Sequence, residues 1–328
     1  PTQNHKPKPY NVDFGDVKGQ YTAKRVLEIA MAGGHNCLFI GPPGSGKTML
    51  MKRLHTILPQ LTKAQAIATF KIHEQHGNSQ RNQSSFFSPP IQSPHHSCSY
   101  TGLIGGGHPI KPGEISLAHN GILLLDECGE FSRHSLNMLR QPIESKSITL
   151  SRANQTLTYP ANFTLAATTN PCPCGYKNSP THTCTCSHSA VDSYHKRLSG
   201  PLLDRIDMVL TINPIPAKDL VTPAEPSGES EIYRATVTRV RNIQKKRLGE
   251  TALNAMIPSN LCDKLIPLNQ ACQTLMEHTI TKLGLSGRAY FKLLKVARTI
   301  ADIESAINVH EAHLLEALQY RLPLSLLD

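Results

Sequence analysis

The sequence predicts an α/β fold, a parallel sheet flanked by helices, followed by a small all-helical domain. Three observations predict it. Residues 36–40 form a short apolar run that enters a glycine-rich loop, as a buried strand does. Two further apolar runs, 122–125 and 163–168, end in polar residues that suit the edge of a site. After a proline-rich stretch at 214–228 the apolar spacing turns helical, over 231–248, 260–282, 286–308 and 309–321.

The loop that follows the first strand carries the most specific signal. Gly41, Pro42, Pro43, Gly44, Ser45, Gly46, Lys47 and Thr48 match G-x-x-x-x-G-K-[ST] at every fixed position. Such glycines let backbone N–H groups turn inward around phosphate oxygens. Lys47 brings a point charge to the β and γ phosphates, and the Thr48 hydroxyl suits Mg²⁺. Met49 opens a helix expected over 49–58, which completes the strand, loop and helix order that such a loop requires and adds Met49 to the ATP-binding set. A chance glycine turn does not supply that context.

ATP bound there needs a second Mg²⁺-facing carboxylate, and Asp126 stands at the end of the run 122–125. Glu127 beside it would orient and polarise the attacking water. In isolation an Asp-Glu pair is as often a solvated strand end; together with the loop it reads as catalytic. Asn170, at the end of the third run, is placed to hold that water or sense the γ phosphate.

Between these strands, 73–97 is rich in polar residues, Pro and His and reads as loop. Residues 100–116, with three consecutive glycines, read as an insertion of hairpin or lid character. Residues 147–159 read as a polar β-hairpin turning near Ala153 and Asn154. The resulting domains are 1–225 and 226–328. No repeat is evident.

Composition narrows the functional classes. At 39% hydrophobic and 18% charged, 328 residues can build a sizeable core, and no apolar run reaches the length of a membrane span. The start is polar and basic rather than a signal peptide, which sets the expectation of a cytoplasmic protein, and a first residue of Pro suggests a piece of a longer chain. Lys and Arg outnumber Asp and Glu by 34 to 24, giving a net charge of +10 that favours a polyanionic partner such as DNA.

Of nine cysteines, Cys172, Cys174, Cys184 and Cys186 are clustered as C-x-C, nine residues, C-x-C. Four thiolates suit tetrahedral Zn²⁺, and such a staple would hold a loop that has no core of its own. His182 or His188 could replace one ligand. Two disulfides or four free thiols are the alternatives, and zinc is preferred for a cytoplasmic chain.

These motifs, with the runs 100–107, 111–121 and 199–207, resemble the AAA+ module of the ComM/YifB family, relatives of the magnesium-chelatase motor subunit. The resemblance runs from about residue 10 to the C-terminus. It implies a ring, a hexamer with ATP at subunit interfaces, in which Arg205 reaches the neighbour's γ phosphate, with Arg197 as the second candidate; the alternative for Arg205 is an ion pair with Asp204 or Asp207. By the same resemblance, Arg288 in Ser286-Gly287-Arg288 would contact phosphate when the helical domain packs over the site.

The activity implied is that of an ATP-driven helicase promoting DNA branch migration during integration of transforming DNA. Lys146 and Arg152 of the hairpin, and Lys111 beside the glycine-rich insertion, are the DNA-facing candidates, with subunit contacts as the alternative. A magnesium-chelatase-like remodeller of a protein partner, indifferent to DNA, is the competing function. A nucleotide-gated assembly protein is a third, disfavoured by Glu127 and Arg205. Full-length members carry an N-terminal Lon-protease-like domain that these residues do not include. Cys128 and Gly129 stand where relatives usually have Leu-Pro.

Overall fold

The computed structural model describes residues 12–77, 85–152, 155–177, 179, 182–198, 200–215, 221, 228–249 and 252–321. Its strands are β1 (Cys37–Ile40), β2 (Ile91–Gln92), β3 (Gly105–Gly106), β4 (Lys111–Pro112), β5 (Ile122–Leu125), β6 (Ser147–Arg152), β7 (Gln155–Pro160), β8 (Thr164–Thr169) and β9 (Met208–Thr211). Five of them form the central sheet, in the order β2-β5-β8-β1-β9, and every pairing in it is parallel.

The apolar runs of the sequence are continuous because the sheet is covered on both faces. Along β1, Cys37 and Phe39 face one core and Leu38 and Ile40 the other; Ile122 and Leu124 alternate with Leu123 and Leu125 in the same way along β5. The first core continues without a break into the C-terminal helices. It joins Val26 and Ile29 of the helix Tyr21–Gly33 to Val237 and Val240 of Glu229–Leu248 and to Leu294 and Ile300 of Gly287–Ile303. Hydrogen bonds seal the seam: Gln244 donates to the Ala32 carbonyl at 3.0 Å in a buried contact, and Arg241 donates to the Met31 carbonyl at 2.6 Å in a partly buried one. The linker residues 216–220 and 222–227, and with them the expected boundary at 225, lie outside the described residues.

Several expectations change in detail. The helix after the glycine loop is two pieces, Lys47–Lys52 and Leu54–Ile57, separated at Arg53, whose guanidinium donates to the Asp13 carbonyl and to Asp16. The run 260–282 is split into Ser259–Leu265 and Gln270–Leu283, because Pro267 between them cannot join an α-helical ladder. Residues 73–76, read as loop, end the helix Lys63–His76, and Ile91–Gln92 is an edge strand. Residues 78–84 lie outside the described residues.

The insertion at 100–116 is a helix, Tyr100–Ile104, the antiparallel ribbon β3–β4 and a short helix, Glu114–Leu117. Its ribbon packs against the β6–β7 hairpin. The Tyr159 hydroxyl donates to the Ile110 carbonyl at 3.3 Å, and Leu150 lies so close to Gly105 that a Cβ there would meet its Cδ1 at 3.0 Å. The two elements singled out as DNA-facing candidates are therefore neighbours.

Candidate nucleotide-hydrolysing site

The C-terminal ends of β1, β5 and β8 converge on one set of side chains. In β1 the chain passes from Ile40 directly into the glycine loop, where Gly44 and Gly46 adopt positive φ of 77° and 88°, the backbone region that favours glycine. The Lys47 ammonium folds back onto the loop, donating to the carbonyls of Gly41 at 2.6 Å and Pro42 at 2.8 Å, and stands 3.4 Å from Asn170 Oδ1. Burial lowers it from the usual lysine range to about 8, against the pull of Asp126 and Glu127.

Across the sheet, Asp126 follows Leu125, the residue paired with Ala167 of β8. The Thr48 hydroxyl donates to Asp126 Oδ2 at 2.9 Å, so the two Mg²⁺-site candidates are in contact. Thr168 supplies a link absent from the sequence reading. Its hydroxyl donates to Asp126 Oδ1 at 2.5 Å and accepts from the Glu127 N–H at 3.0 Å, which fixes both carboxylate-bearing residues from the next strand. The parallel register that sets Thr168 beside Asp126 is the signal that could have found it. Glu127 is exposed at the strand end, where its backbone adopts the left-handed conformation at φ 52°. Asn170 is half-buried beside Lys47, while Pro43, Gly44, Thr48 and Met49 are exposed around the mouth of the loop.

Gly129, next to Cys128, is fixed by packing. A Cβ at Gly129 would lie 2.3 Å from the Tyr194 ring, and the Tyr194 hydroxyl in turn bonds to Thr169 Oγ1 at 3.0 Å. Arg197, on the same helix as Tyr194, donates to the Gly129 carbonyl at 3.3 Å and faces Glu130 at 3.9 Å, at this end of the sheet.

Arg205 stands at the other end. It precedes β9, where Asn36 ties the strand starts together by donating to the Arg205 carbonyl and accepting from the Leu165 N–H. The Arg205 guanidinium meets Glu144 at 2.8 Å and donates to the Arg140 carbonyl at 3.2 Å, so among the described residues the carboxylate it pairs with is Glu144 rather than the expected Asp204 or Asp207. Arg288 faces the same Glu144 oxygen at 3.5 Å. Four-residue strands place roughly 13 Å of sheet between these arginines and the glycine loop. Packing of the helical domain therefore does not bring Arg288 over the chain's own phosphate loop, contrary to expectation; it brings Arg288 beside Arg205.

Lys146 is a second correction. It is not on the hairpin's reach but at its root, the left-handed residue (φ 55°) that ends the helix Arg140–Ser145. Its ammonium lies over the Phe163 ring at 5.9 Å and lines a cleft of about 500 Å³ with Glu144, Arg205, Asp207 and Arg288; burial lowers its pKa. Arg152 closes β6, paired with Gln155, and its side chain and the turn at 153–154 lie outside the described residues. Lys111 is exposed on β4.

The four clustered cysteines converge. Sγ separations are 3.4 Å for Cys172–Cys174, 3.5 Å for Cys174–Cys184 and 3.7 Å for Cys172–Cys184, and all four sulfurs, Cys186 included, lie within 4.8 Å of one another. Tetrahedral zinc with bonds of about 2.3 Å would set sulfurs about 3.8 Å apart, so the donor set fits. Backbone N–H groups point at the sulfurs, Lys177 at Cys172 and Cys174 at Cys186, as they do around thiolates. Hydrogen bonds from Tyr176 and Thr185 bring the Cys174 thiol down to about 6, whereas burial and the neighbouring cysteines push Cys172 and Cys186 up, so without a metal the four do not all favour the thiolate. His182 stacks on Tyr176 instead, and neither it nor His188 joins the cluster.

The family model for magnesium chelatase, subunit ChlI, matches residues 13–220, and the model for its C-terminal part matches 227–321. The chain belongs to the magnesium-chelatase family. Within that family of AAA+ ATPases, which use nucleotide with Mg²⁺, it falls among the ComM/YifB proteins. It is 44% identical over 317 residues to competence protein ComM of Haemophilus influenzae, across 97% of this chain and 61% of that protein. It is 44% identical over 310 residues to the uncharacterized protein YifB of Escherichia coli, across 94% and 60%. The magnesium-chelatase 38 kDa subunit of Acidiphilium rubrum is 26% identical over 243 residues, across 69% and 60%. The chain thus spans about three fifths of the length of these magnesium-chelatase relatives. Among the described residues no helix is long and apolar enough to cross a membrane.

Proposed function

We propose that this chain is the ATP-hydrolysing module of a hexameric ring motor that acts on branched or single-stranded DNA, a helicase promoting branch migration as transforming DNA is integrated by homologous recombination. The observation that carries the ring is the separation of the two halves of the chemistry: the glycine loop, Asp126 and Glu127 at one end of the sheet, Arg205 and Arg288 at the other. A subunit so built cannot bring its own arginines to its own nucleotide, whereas a head-to-tail ring brings each pair to the neighbour's.

In that assembly the loop N–H groups and Lys47 hold the phosphates, and Thr48 and Asp126 hold Mg²⁺. An ion held by Thr48 and Asp126 would supply charge neutralisation for phosphoryl transfer. Thr168 keeps Asp126 aimed at the metal and Glu127 turned toward the water, with Asn170 beside Lys47 at the γ phosphate. Arg205, and Arg288 with it, would leave Glu144 for the neighbour's γ phosphate, where a planar permanent charge stabilises the transition state. The cysteine cluster is read as a Zn²⁺ site that holds its loop in place.

DNA as the substrate is supported by the +10 charge, by the similarity to competence protein ComM, and by the juxtaposed hairpin and glycine ribbon, the latter with Lys111 exposed. The test is hydrolysis and branch migration by the full-length protein with branched DNA. DNA-stimulated hydrolysis is expected. Absence of both DNA binding and stimulation, with a stable protein partner recovered instead, would favour a remodeller like magnesium chelatase.

A further inference from the structure

We propose that the four-cysteine loop is a positioning element of the nucleotide site, and that a metal held there sets the glycine loop through the contact of Gly175 with Pro43. The inference rests on the reading of Cys172, Cys174, Cys184 and Cys186 as a metal site. Gly175 lies between the ligand pairs, one residue past Cys174, in a turn closed by its own N–H donating to the Cys172 carbonyl at 2.9 Å. It is buried and adopts φ +84°. A Cβ added there would lie 2.5 Å from Pro43 Cδ and 2.8 Å from Pro43 Cγ, so the turn's backbone rests directly on the phosphate-binding loop.

The same Cβ position is 3.8 Å from Asn170 Cγ, and Asn170 reaches Lys47. The turn therefore touches the nucleotide site from two sides. Among the described residues the loop around it offers little apolar packing: Pro173, His182, Thr183 and Thr185 are exposed. His195 fixes its entry, with Nε2 2.8 Å from the Pro171 carbonyl, but the far end of the loop is joined to the near end at the sulfurs. A cross-link of four thiolates at that point replaces the missing core and removes the freedom that the turn would otherwise have. Pro43 is exposed on its other side, so Gly175 is the wall that holds it.

A staple serving only local stability would leave ATP affinity unchanged while metal comes and goes. A positioning element would not. Zinc content and affinity for Mg²⁺ with a fluorescent ATP analogue are measured on the full-length protein, on Gly175→Ala, on Pro43→Ala and on the double variant. Gly175→Ala is expected to keep one zinc per chain and to bind the analogue about tenfold more weakly, and that loss is expected to shrink at least about threefold in the Pro43→Ala background, where the clashing Cγ and Cδ are gone and only the strain of alanine at φ +84° remains. Stripping zinc from the wild type with a chelator is expected to weaken binding similarly, and refilling to restore it. Should Gly175→Ala fail to fold, stripping and refilling decides alone. An equal loss from Gly175→Ala in both backgrounds, or zinc-loaded wild type indifferent to stripping, overturns the inference. Wild type that carries no metal at all overturns the metal reading itself, a different result.

Discussion

Arg205 and Glu144 are paired at 2.8 Å at the end of the sheet remote from the phosphate loop, and Arg288 shares the same carboxylate oxygen. Glu144 belongs to the helix Arg140–Ser145, which leads through Lys146 directly into the β6–β7 hairpin. The arginines assigned to the neighbour's nucleotide thus rest on the segment that roots a DNA-facing candidate. Arg205→Ala should leave nucleotide binding within about threefold of wild type while lowering kcat by about 10³, the scale of a lost arginine finger. Equilibrium binding measured beside steady-state hydrolysis checks both halves.

Thr168 bonds Asp126 with its proton and the Glu127 N–H with its oxygen. Thr168→Val keeps the shape and removes both bonds, which leaves a carboxylate and a backbone donor without their partner. Hydrolysis should fall roughly tenfold to a hundredfold, and the Mg²⁺ concentration for half-maximal rate should rise, because the metal ligand is no longer held. Titrating Mg²⁺ against rate for both proteins is the check. An unchanged Mg²⁺ requirement would return Thr168 to a packing role.

Lys47 carries a pH prediction. Burial places its ammonium at about 8 in the free protein, and only the charged form attracts phosphate. The folded value lies below the unfolded one, so the unfolded chain binds more protons between them and folding stability contributed by this group rises with pH from about 8 to the usual lysine range. Affinity for ATP runs the opposite way and should weaken as pH rises from 7 to 9.5. Lys47→Ala, already weak, should lose that dependence. Calorimetric titration at several pH values measures both.

Glu127→Gln should retain ATP and lose hydrolysis by about 10² to 10⁴, the range of a removed general base, because the amide keeps the size of the side chain but not its charge. Single-turnover hydrolysis compared with nucleotide retention on the purified protein separates the two.

The glycine loop and the Asp126-Glu127 strand end were legible because their chemistry is written in consecutive residues. The four cysteines were legible as a group, and their convergence follows from the close spacing of each pair. Thr168 was not, because its role depends on the register of β8 against β5, and residue-by-residue pairing of strands joined by a long crossover is a tertiary property. Arg288 was misplaced for the same reason: the sequence shows a helix after a linker, not which end of the sheet receives it. Lys146 was read as hairpin because nothing local announces that a left-handed residue ends the preceding helix there. The helix Tyr21–Gly33 was missed, and Lys24 and Glu28 are buried with its apolar residues. β9 is a four-residue edge strand with two half-buried positions, too short to stand out.

The central claim, that each site is completed by a second subunit, is tested most directly by hydrolysis in an equimolar mixture of Lys47→Ala and Arg205→Ala full-length proteins. Each alone should be inactive. In a randomly mixed head-to-tail ring about a quarter of the interfaces pair an intact loop with an intact Arg205, so activity should return toward that fraction. A mixture as inactive as its two components would contradict the account.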